Sequence, residues 1–355
     1  MFQRKYLVFL CVLTLLLLGW AGGWFWLADK LRADIDAFVE TQRARGVALR
    51  WDALSISGFP IRFDTDFTAP LARWDDIDRT ITWTGADTSI RPFVEGPGAV
   101  SFRAPGRHRL EFSEPGADLQ IETHSDKLKG VLEFSDAGRI QGLRGLAEPF
   151  DLHINEGARI GIARAAFDYA YRTRPGTTDP IHPDPVLARL SVIMNQIDLA
   201  AVPLDVNIAR TLGSEITTFA GQLSLRGPFA IEDISPESLA RWRDAGGTLE
   251  VESLELSWGP LRFAGDGTLA LDDALQPEGA FSARMSGLDT LIDLLEQRGE
   301  IRSPQAAIAR IALAVFTRAP ANGGLPEAKV PVTIQGSILS IGPVPLLQLD
   351  PVVWD

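Results

Sequence analysis

A mainly β, or α+β, body behind a single membrane-spanning helix is the fold class this 355-residue sequence predicts, and three observations predict it. Residues Tyr6 to Leu27 read YLVFLCVLTLLLLGWAGGWFWL, without a charge. From Val47 onward, short runs alternate apolar and polar residues with a period of two. Glycine (32) and proline (23) are plentiful between those runs, where they punctuate strands.

At about 1.5 Å per residue, a helix as long as Tyr6–Leu27 reaches roughly 33 Å, enough to cross a hydrocarbon core of about 30 Å. Arg4 and Lys5 precede it, and Trp20, Trp24, Phe25 and Trp26 crowd its far end, where indoles favour the membrane–water boundary. Ala21-Gly22-Gly23 offers a small-residue cleavage site. The apolar run is longer than a signal peptide requires and resumes at Trp24, so an uncleaved anchor is expected. Cys11 lies mid-span and reads as a small apolar residue. Basic residues before the span, and a mixed set after it (Asp29, Lys30, Arg32, Asp34, Asp36), predict a cytoplasmic tail 1–5 and a large exported part. In a bacterium that means an inner-membrane, single-pass protein with its bulk in the periplasm. The exported part has no cysteine and must be held by its own core.

A net charge of −12 leaves no basic stripe for phosphates, so nucleic-acid binding is not expected, and acidity also disfavours docking on anionic headgroups by charge. A hydrophobic content of 46% excludes wholesale disorder.

The predicted organisation is a span at 6–27, a helical stalk at 28–45 and two β-rich halves, 46–175 and 186–355. On the stalk, Leu27, Leu31, Ile35, Phe38 and Gln42 form one apolar stripe ending near Arg45-Gly46. The halves are divided by the proline-rich segment 172–185, and Arg318 to Pro331 reads as a second loop. The runs VALRW, LSIS, IRFDTDF, TITW, VSF, HRLEF, DLQIET and KGVLEF read as successive strands. Three helices interrupt the second half. One covers Pro236–Ala245 with Ser235 as cap. Another carries Leu288, Leu291, Ile292, Leu294 and Leu295 and stops at Gly299. The last opens at Ser303-Pro304 and contains Ile308, Ile311, Leu313 and Val315.

An internal echo links Leu54-Ser55-Ile56-Ser57-Gly58-Phe59-Pro60-Ile61-Arg62-Phe63 to Leu254-Glu255-Leu256-Ser257-Trp258-Gly259-Pro260-Leu261-Arg262-Phe263. Shorter forms stand at Leu223–Pro228 and Leu339–Pro343. Both a duplicated hairpin unit and recurrent Gly-Pro turn chemistry account for it.

Residues that carry chemistry are few. His108, His124, His153 and His182 have no metal-ligand spacing, and solvent-facing strand positions are their default. Asp64 and Asp66 share a strand face but lack the oxygen ligands calcium needs, and the pairs Asp75-Asp76 and Asp272-Asp273 read as solvated. Neither a GxSxG elbow nor a phosphate-cradling glycine loop occurs; Gly265-Asp266-Gly267 reads as a hairpin turn. No catalytic residue, metal ligand or cofactor is therefore expected, and the chain is not expected to be an enzyme. Among Trp51, Trp74, Trp83, Trp242, Trp258 and Trp354, most are expected to anchor the core. Trp51, Phe59, Trp258 and Trp354 are the candidates for touching an apolar ligand or a partner. Trp354 ends an apolar tail that needs a groove or a partner to cover it.

The order of an N-terminal span, Trp51…Ser57-Gly58-Phe59-Pro60, Trp242…Ala245-Gly246-Gly247, Trp258-Gly259-Pro260 and a closing Gly336–Leu346 resembles the alphaproteobacterial proteins grouped as domain of unknown function family 2125. The resemblance covers nearly all of the exported part and brings no catalytic residues with it. Its architecture is similar to envelope proteins of the AsmA-like type, whose β-rich bodies are associated with lipid handling. The resemblance implies a periplasmic protein that binds lipid or another apolar ligand in envelope maintenance. The alternative is an envelope scaffold that docks a protein partner through a sheet edge or its C-terminal tail.

Overall fold

Alternation sends successive side chains to opposite faces of an extended chain, and in the computed structural model those runs pair into antiparallel ladders. The structure describes residues 2–354 except 76–78, 93–97, 115–116, 136–138, 156, 172–185, 230–234, 300, 319–326 and 343. The side chains of 2–12, 117, 309, 312–316, 318, 341, 344 and 346 also lie outside the described set. The chain forms two compact units, Met1–Glu133 with Leu152–Gly157, and Phe134–Asp151 with Ala158–Asp355. The division thus falls ahead of the proline-rich segment 172–185, where the sequence placed it. That segment and His182 lie outside the described residues, and the strands on either side of it pair with each other.

In unit 1, helix α1 (Phe2–Ala44) gives way to Gly46 at φ +83°. From residue 24 its covered positions are Trp24, Ala28, Leu31, Ile35, Val39 and Gln42. Leu27 and Phe38 of the expected stripe face outward instead, because Val39, four residues on, keeps the line from Ile35. Among the described residues no helix is long and apolar enough to cross a membrane, and residues 6–12 of the expected span lie outside those whose side chains are described.

The strands of unit 1 are β1 (Val47–Arg50), β2 (Ala53–Ser57), β3 (Asp64–Thr68), β4 (Leu71–Asp75), β5 (Thr80–Thr84), β6 (Thr88–Pro92), β7 (Ala99–Arg103), β8 (Gly106–Glu114), β9 (Ala117–Ser125) and β10 (Lys129–Phe134). They form two ladders, β1–β4–β5–β8–β9 and β2–β3–β6–β7–β10. The chain changes ladder inside every second connection. Each of β1/β2, β3/β4, β5/β6, β7/β8 and β9/β10 is therefore one long strand with a corner in its middle. Adjacent corners bond to one another: Asp52 N–H donates to Thr68 O (2.9 Å), Gly85 N–H to Pro70 O (2.8 Å) and Ala104 N–H to Leu128 O (2.9 Å). At Gly106 (φ +111°) a Cβ would lie 2.7 Å from the Ala86 Cβ, so this corner needs glycine. The bend brings aromatic rings together. Trp83 stacks on His108 at 5.8 Å, and Trp51 meets Phe67 edge to face at 5.0 Å. His108 is buried rather than solvent-facing, because its Nε2 pairs with Ala104 O at 2.7 Å within the corner.

Unit 2 takes up the chain with β11 (Ile140–Ala147), β12 (Phe150–Ile154), β13 (Ala158–Tyr171), β14 (Val186–Asp198), α2 (Val206–Leu212), β15 (Glu215–Arg226), α3 (Pro236–Asp244), β16 (Thr248–Trp258), β17 (Leu261–Leu271), β18 (Pro277–Ser286), α4 (Leu288–Gln297), α5 (Ser303–Phe316), β19 (Thr317–Arg318), β20 (Glu327–Gln335), β21 (Ile338–Ile341) and β22 (Val344–Gln348). The last residues of β12 return to unit 1. Apart from β19, which pairs with the start of β20, the remaining strands run as an antiparallel meander in the order β11–β13–β14–β15–β16–β17–β18–β20–β21–β22. The expected loop at 318–331 is shorter than the sequence indicated, because β20 begins at Glu327 and pairs with β18 through Pro331 opposite Ser282. Helix α3 is capped as expected by Ser235 Oγ, which accepts from Ser238 N–H at 3.3 Å. Helix α2 was not foreseen; Asp205 Oδ1 caps it by accepting from Asn207 N–H at 2.8 Å.

The glycines of the internal echo stand at turns of different kinds. Gly259 (φ +52°) opens a two-residue hairpin turn between Trp258 and Leu261, and Gly342 (φ +55°) follows Ile341, which pairs with Val344. Gly58 (φ +101°) opens a wider loop between Ser57 and Asp64, and Gly227 leads on towards α3.

Candidate functional site

Residues paired across neighbouring antiparallel strands lie on one face of a sheet. In unit 2 the pairing runs from Phe167 through Val192, Gly221, Leu254, Gly265 and Ala283 to Val330. The row on one side contains Tyr169, Leu190, Leu223, Val251, Gly267, Phe281 and Val332. The row on the other contains Ala165, Met194, Phe219, Leu256, Phe263, Met285 and Ala328. One face is thus apolar across these strands. The opposite face carries Arg189, Ser191, Gln222, Ser224, Glu250, Glu255 and Arg284, with Ile193 as an exposed apolar exception.

Helices α2 to α5 all serve the apolar face. At one end Leu239 and Trp242 of α3 pack on Leu225 and Leu271, and the Trp242 indole donates to Arg226 O at 2.6 Å. At the other end the Trp258 indole donates to Gly213 O at 3.0 Å, just beyond α2. Helices α4 and α5 adjoin β17 and β20, and Ala283 there is 1% exposed and Ala306 of α5 0%. Over β13–β16 the cover is incomplete. Phe167, Val192, Met194, Phe219 and Leu254 are only half-buried, and Leu190 is 39% exposed. Above Gly221 a Cβ would meet only the Leu254 Cδ1, at 3.6 Å, whereas Gly145 in the same row lies under the Phe167 ring. The result is a shallow apolar floor centred on Gly221, with helices around its rim.

The polar face is internally paired. Glu252 accepts from the Ser224 hydroxyl, the Gln222 amide and Arg189 Nη2, the last at 3.2 Å. Burial pushes the Glu252 carboxyl up, but its hydrogen bonds to Ser224, Arg189 and Gln222 and the Arg189 charge outweigh this, and the net shift is down.

A second apolar surface lies in unit 1, where the β2–β3 loop reaches helix α1. The Trp20 indole donates to Pro60 O at 2.9 Å and the Trp24 indole to Arg62 O at 3.0 Å. Trp24 stacks on Phe63 at 5.2 Å and meets Phe59 edge to face at 5.5 Å, and Phe25 stacks on Phe59 at 5.9 Å. Thr14, Leu17, Leu18, Trp20, Ala21, Phe59 and Pro60 enclose an open apolar groove of about 610 Å³.

The four residues singled out by sequence are scattered over these features. Trp51 braces a corner of unit 1 against Phe67, and Trp258 fastens the end of α2. Trp354 is half-buried against Leu239, Trp242 and Leu271, with its indole donating to Leu275 O at 2.8 Å. The tail is further held by Val352 N–H, which donates to Gln276 Oε1 at 2.8 Å, while the Val353 side chain stays exposed. Phe59 alone remains largely exposed, in the loop against α1. The floor residues Leu190, Val192 and Gly221 escaped sequence reasoning; the signal was present only as alternation on adjacent long strands.

Charged side chains near these surfaces have structural partners. Asp64 pairs with Arg91, whose hydrogen bond and charge hold the Asp64 carboxyl below its usual range, and Asp66 accepts from Ser89. Asp75 binds Arg73 at 2.9 Å, and Asp272 accepts two backbone N–H groups of its own turn at 2.8 Å. Among the described residues no group of three His, Cys, Asp or Glu side chains could hold a metal ion.

No curated protein matches this chain, and no solved structure does. A family model does match residues 24–350, a range that begins at the first of the indoles gripping the β2–β3 loop backbone from a buried position and ends beyond β22. The chain therefore belongs to the family described as "Uncharacterized protein conserved in bacteria (DUF2125)".

Proposed function

We propose that the chain is a membrane-anchored, non-enzymatic binding protein that holds the acyl part of a lipid, or a ligand of the same chemistry, on the apolar floor of unit 2. The observation that carries this reading is the asymmetry of the unit 2 sheet. One face is apolar row after row, helices gather on that face, and yet its β13–β16 side chains stay half-buried, and a Cβ at Gly221 would meet only the Leu254 Cδ1. A floor of this kind suits a flexible hydrocarbon chain, whose burial contributes about 0.8 kcal/mol per methylene. The anchor part rests on the uncharged run Tyr6–Leu27 and its aromatic end. An exported, periplasmic location goes with that anchor and with the basic residues that precede it.

Adjacent residues of one strand make the test. A photo-crosslinking residue at Val192 faces the floor, and one at Ser191 faces the polar side. With full-length protein in its native membrane, irradiation at Val192 is expected to yield a lipid-mass adduct and irradiation at Ser191 none. Equal labelling at both sites, or none at Val192, refutes the reading.

A further inference from the structure

The β2–β3 loop presents an arrangement that is costly in water. Ile61 is 77% exposed and Phe59 52% exposed, beside Trp20, Phe25 and Trp26, which are also more than half exposed. Of these, Trp20, Phe25 and Phe59 belong to one apolar surface built from two segments nearly forty residues apart, joined by the indole hydrogen bonds and ring contacts of Trp20, Trp24 and Phe25. An isolated exposed leucine or isoleucine is ordinary; a contiguous patch marks something that covers it.

The backbone of the loop identifies the cover. Irregular chain is tolerated at membrane depth only where its polar groups are satisfied from within the protein. Here Ile61 N–H and Arg62 N–H both donate to Gly58 O, at 3.3 and 2.9 Å. Pro60 has no N–H, and its carbonyl accepts from Trp20; the Arg62 carbonyl accepts from Trp24. The helix thus supplies the Pro60 and Arg62 carbonyls with donors that water would otherwise supply. Trp20 stands seven residues inside Leu27, which is about 10 Å along a helix, so the loop tip is level with the outer part of the apolar run. Arg62, 60% exposed at its side chain and near Asp64, follows immediately after the apolar tip, where a cationic head can reach the headgroup layer.

We infer that the β2–β3 tip, Phe59-Pro60-Ile61, enters the outer apolar zone of the lipid bilayer alongside α1 and forms with it a composite two-segment anchor. The open groove between Phe59, Pro60 and the Thr14–Ala21 face of the helix then receives lipid hydrocarbon from the surrounding leaflet. This inference rests on the reading of Tyr6–Leu27 as the anchor, and it fixes how the first strands of unit 1 are held at the membrane surface.

Depth-dependent quenching separates the two statements. The full chain, with Cys11→Ala, carries a single environment-sensitive fluorophore at Ile61→Cys, Leu16→Cys or Asp118→Cys, in vesicles of phosphatidylcholine and phosphatidylglycerol that contain a chain-spin-labelled lipid. Leu16 reports the anchor, and Asp118, exposed at the start of β9, reports the aqueous side. Quenching at Ile61 within about twofold of that at Leu16, with none at Asp118, is expected for a tip in the hydrocarbon edge. Quenching at Leu16 without quenching at Ile61 overturns the inference and leaves the anchor standing. Absence of quenching at both positions overturns the anchor reading and this inference with it.

Discussion

Unit 1 and unit 2 are both antiparallel meanders, yet they cover their apolar surfaces in different ways. Unit 1 bends every strand at the same level, so that its rings meet across corners: Trp51 on Phe67, Trp83 on His108. Unit 2 keeps strands of ten residues or more without a corner, from β13 to β18, and brings in helices to cover one face. A bent sheet becomes its own cover. A sheet covered by helices is covered only where a helix lies, and the half-buried rows of β13–β16 are the consequence. The difference shows why the candidate ligand surface sits in the second unit.

The comparison breaks most readily at α3. Trp242 is buried, bonded to Arg226 O and pressed against Gly247. Trp242→Ala is expected to cost about 3–5 kcal/mol, read as faster hydrogen exchange along β15 and β17 with β5 and β8 unchanged. Equal loosening in both units would mean that the two ways of covering a sheet are not independent.

A pair of glycine substitutions sharpens the contrast at smaller scale. At Gly85 a Cβ would lie 2.7 Å from the Trp83 ring, which is held against His108, so Gly85→Ala is expected to destabilise unit 1 by about 1–3 kcal/mol. Gly221→Ala meets only the Leu254 Cδ1 at 3.6 Å and should be neutral or slightly stabilising in denaturant unfolding. Similar losses at both positions would show that the floor over Gly221 is as tightly filled as the corner.

The smallest effect belongs to the polar face. Because the Glu252 carboxyl is depressed in the folded chain, its stabilisation is complete above its ordinary value of 4.5 and is lost as pH falls through the lower folded value. Glu252 is an exposed residue, so the loss in Glu252→Gln should stay within about 1 kcal/mol near neutrality. The gap between parent and variant should close in acid unfolding below that range. A gap that widens in acid would contradict the assigned hydrogen bonds.

Much of this architecture was legible in the sequence, and the losses have definite causes. Alternation located most strands, and the cap at Ser235 and the stop at Gly299 located α3 and α4, because those signals are local. The corners of unit 1 were not distinguishable from hairpin turns, since Ala69-Pro70, Gly85 and Ala104-Pro105 are the residue types that make both. Helix α2 is too short for a helical period to show. The floor over Gly221 depends on register between strands distant in sequence. Phe59 was a candidate from sequence, but its partners Trp20, Trp24 and Phe25 lie more than thirty residues away, and no periodicity joins them. Trp354 was singled out as the end of an apolar tail, and its packing on Leu239, Trp242 and Leu271 was open until those residues were placed.

The return of Leu152–Gly157 to unit 1 decides how this molecule can be taken apart. Asn155 exchanges two hydrogen bonds with Gln120 at the margin of β9, at 2.8 and 2.7 Å, after the chain has already laid down β11 in the other unit. No single cut yields both units whole. A fragment ending at Glu133 leaves β9 with an open rim that invites self-association, whereas a dissection that grafts the 152–157 segment back onto that fragment keeps the rim closed.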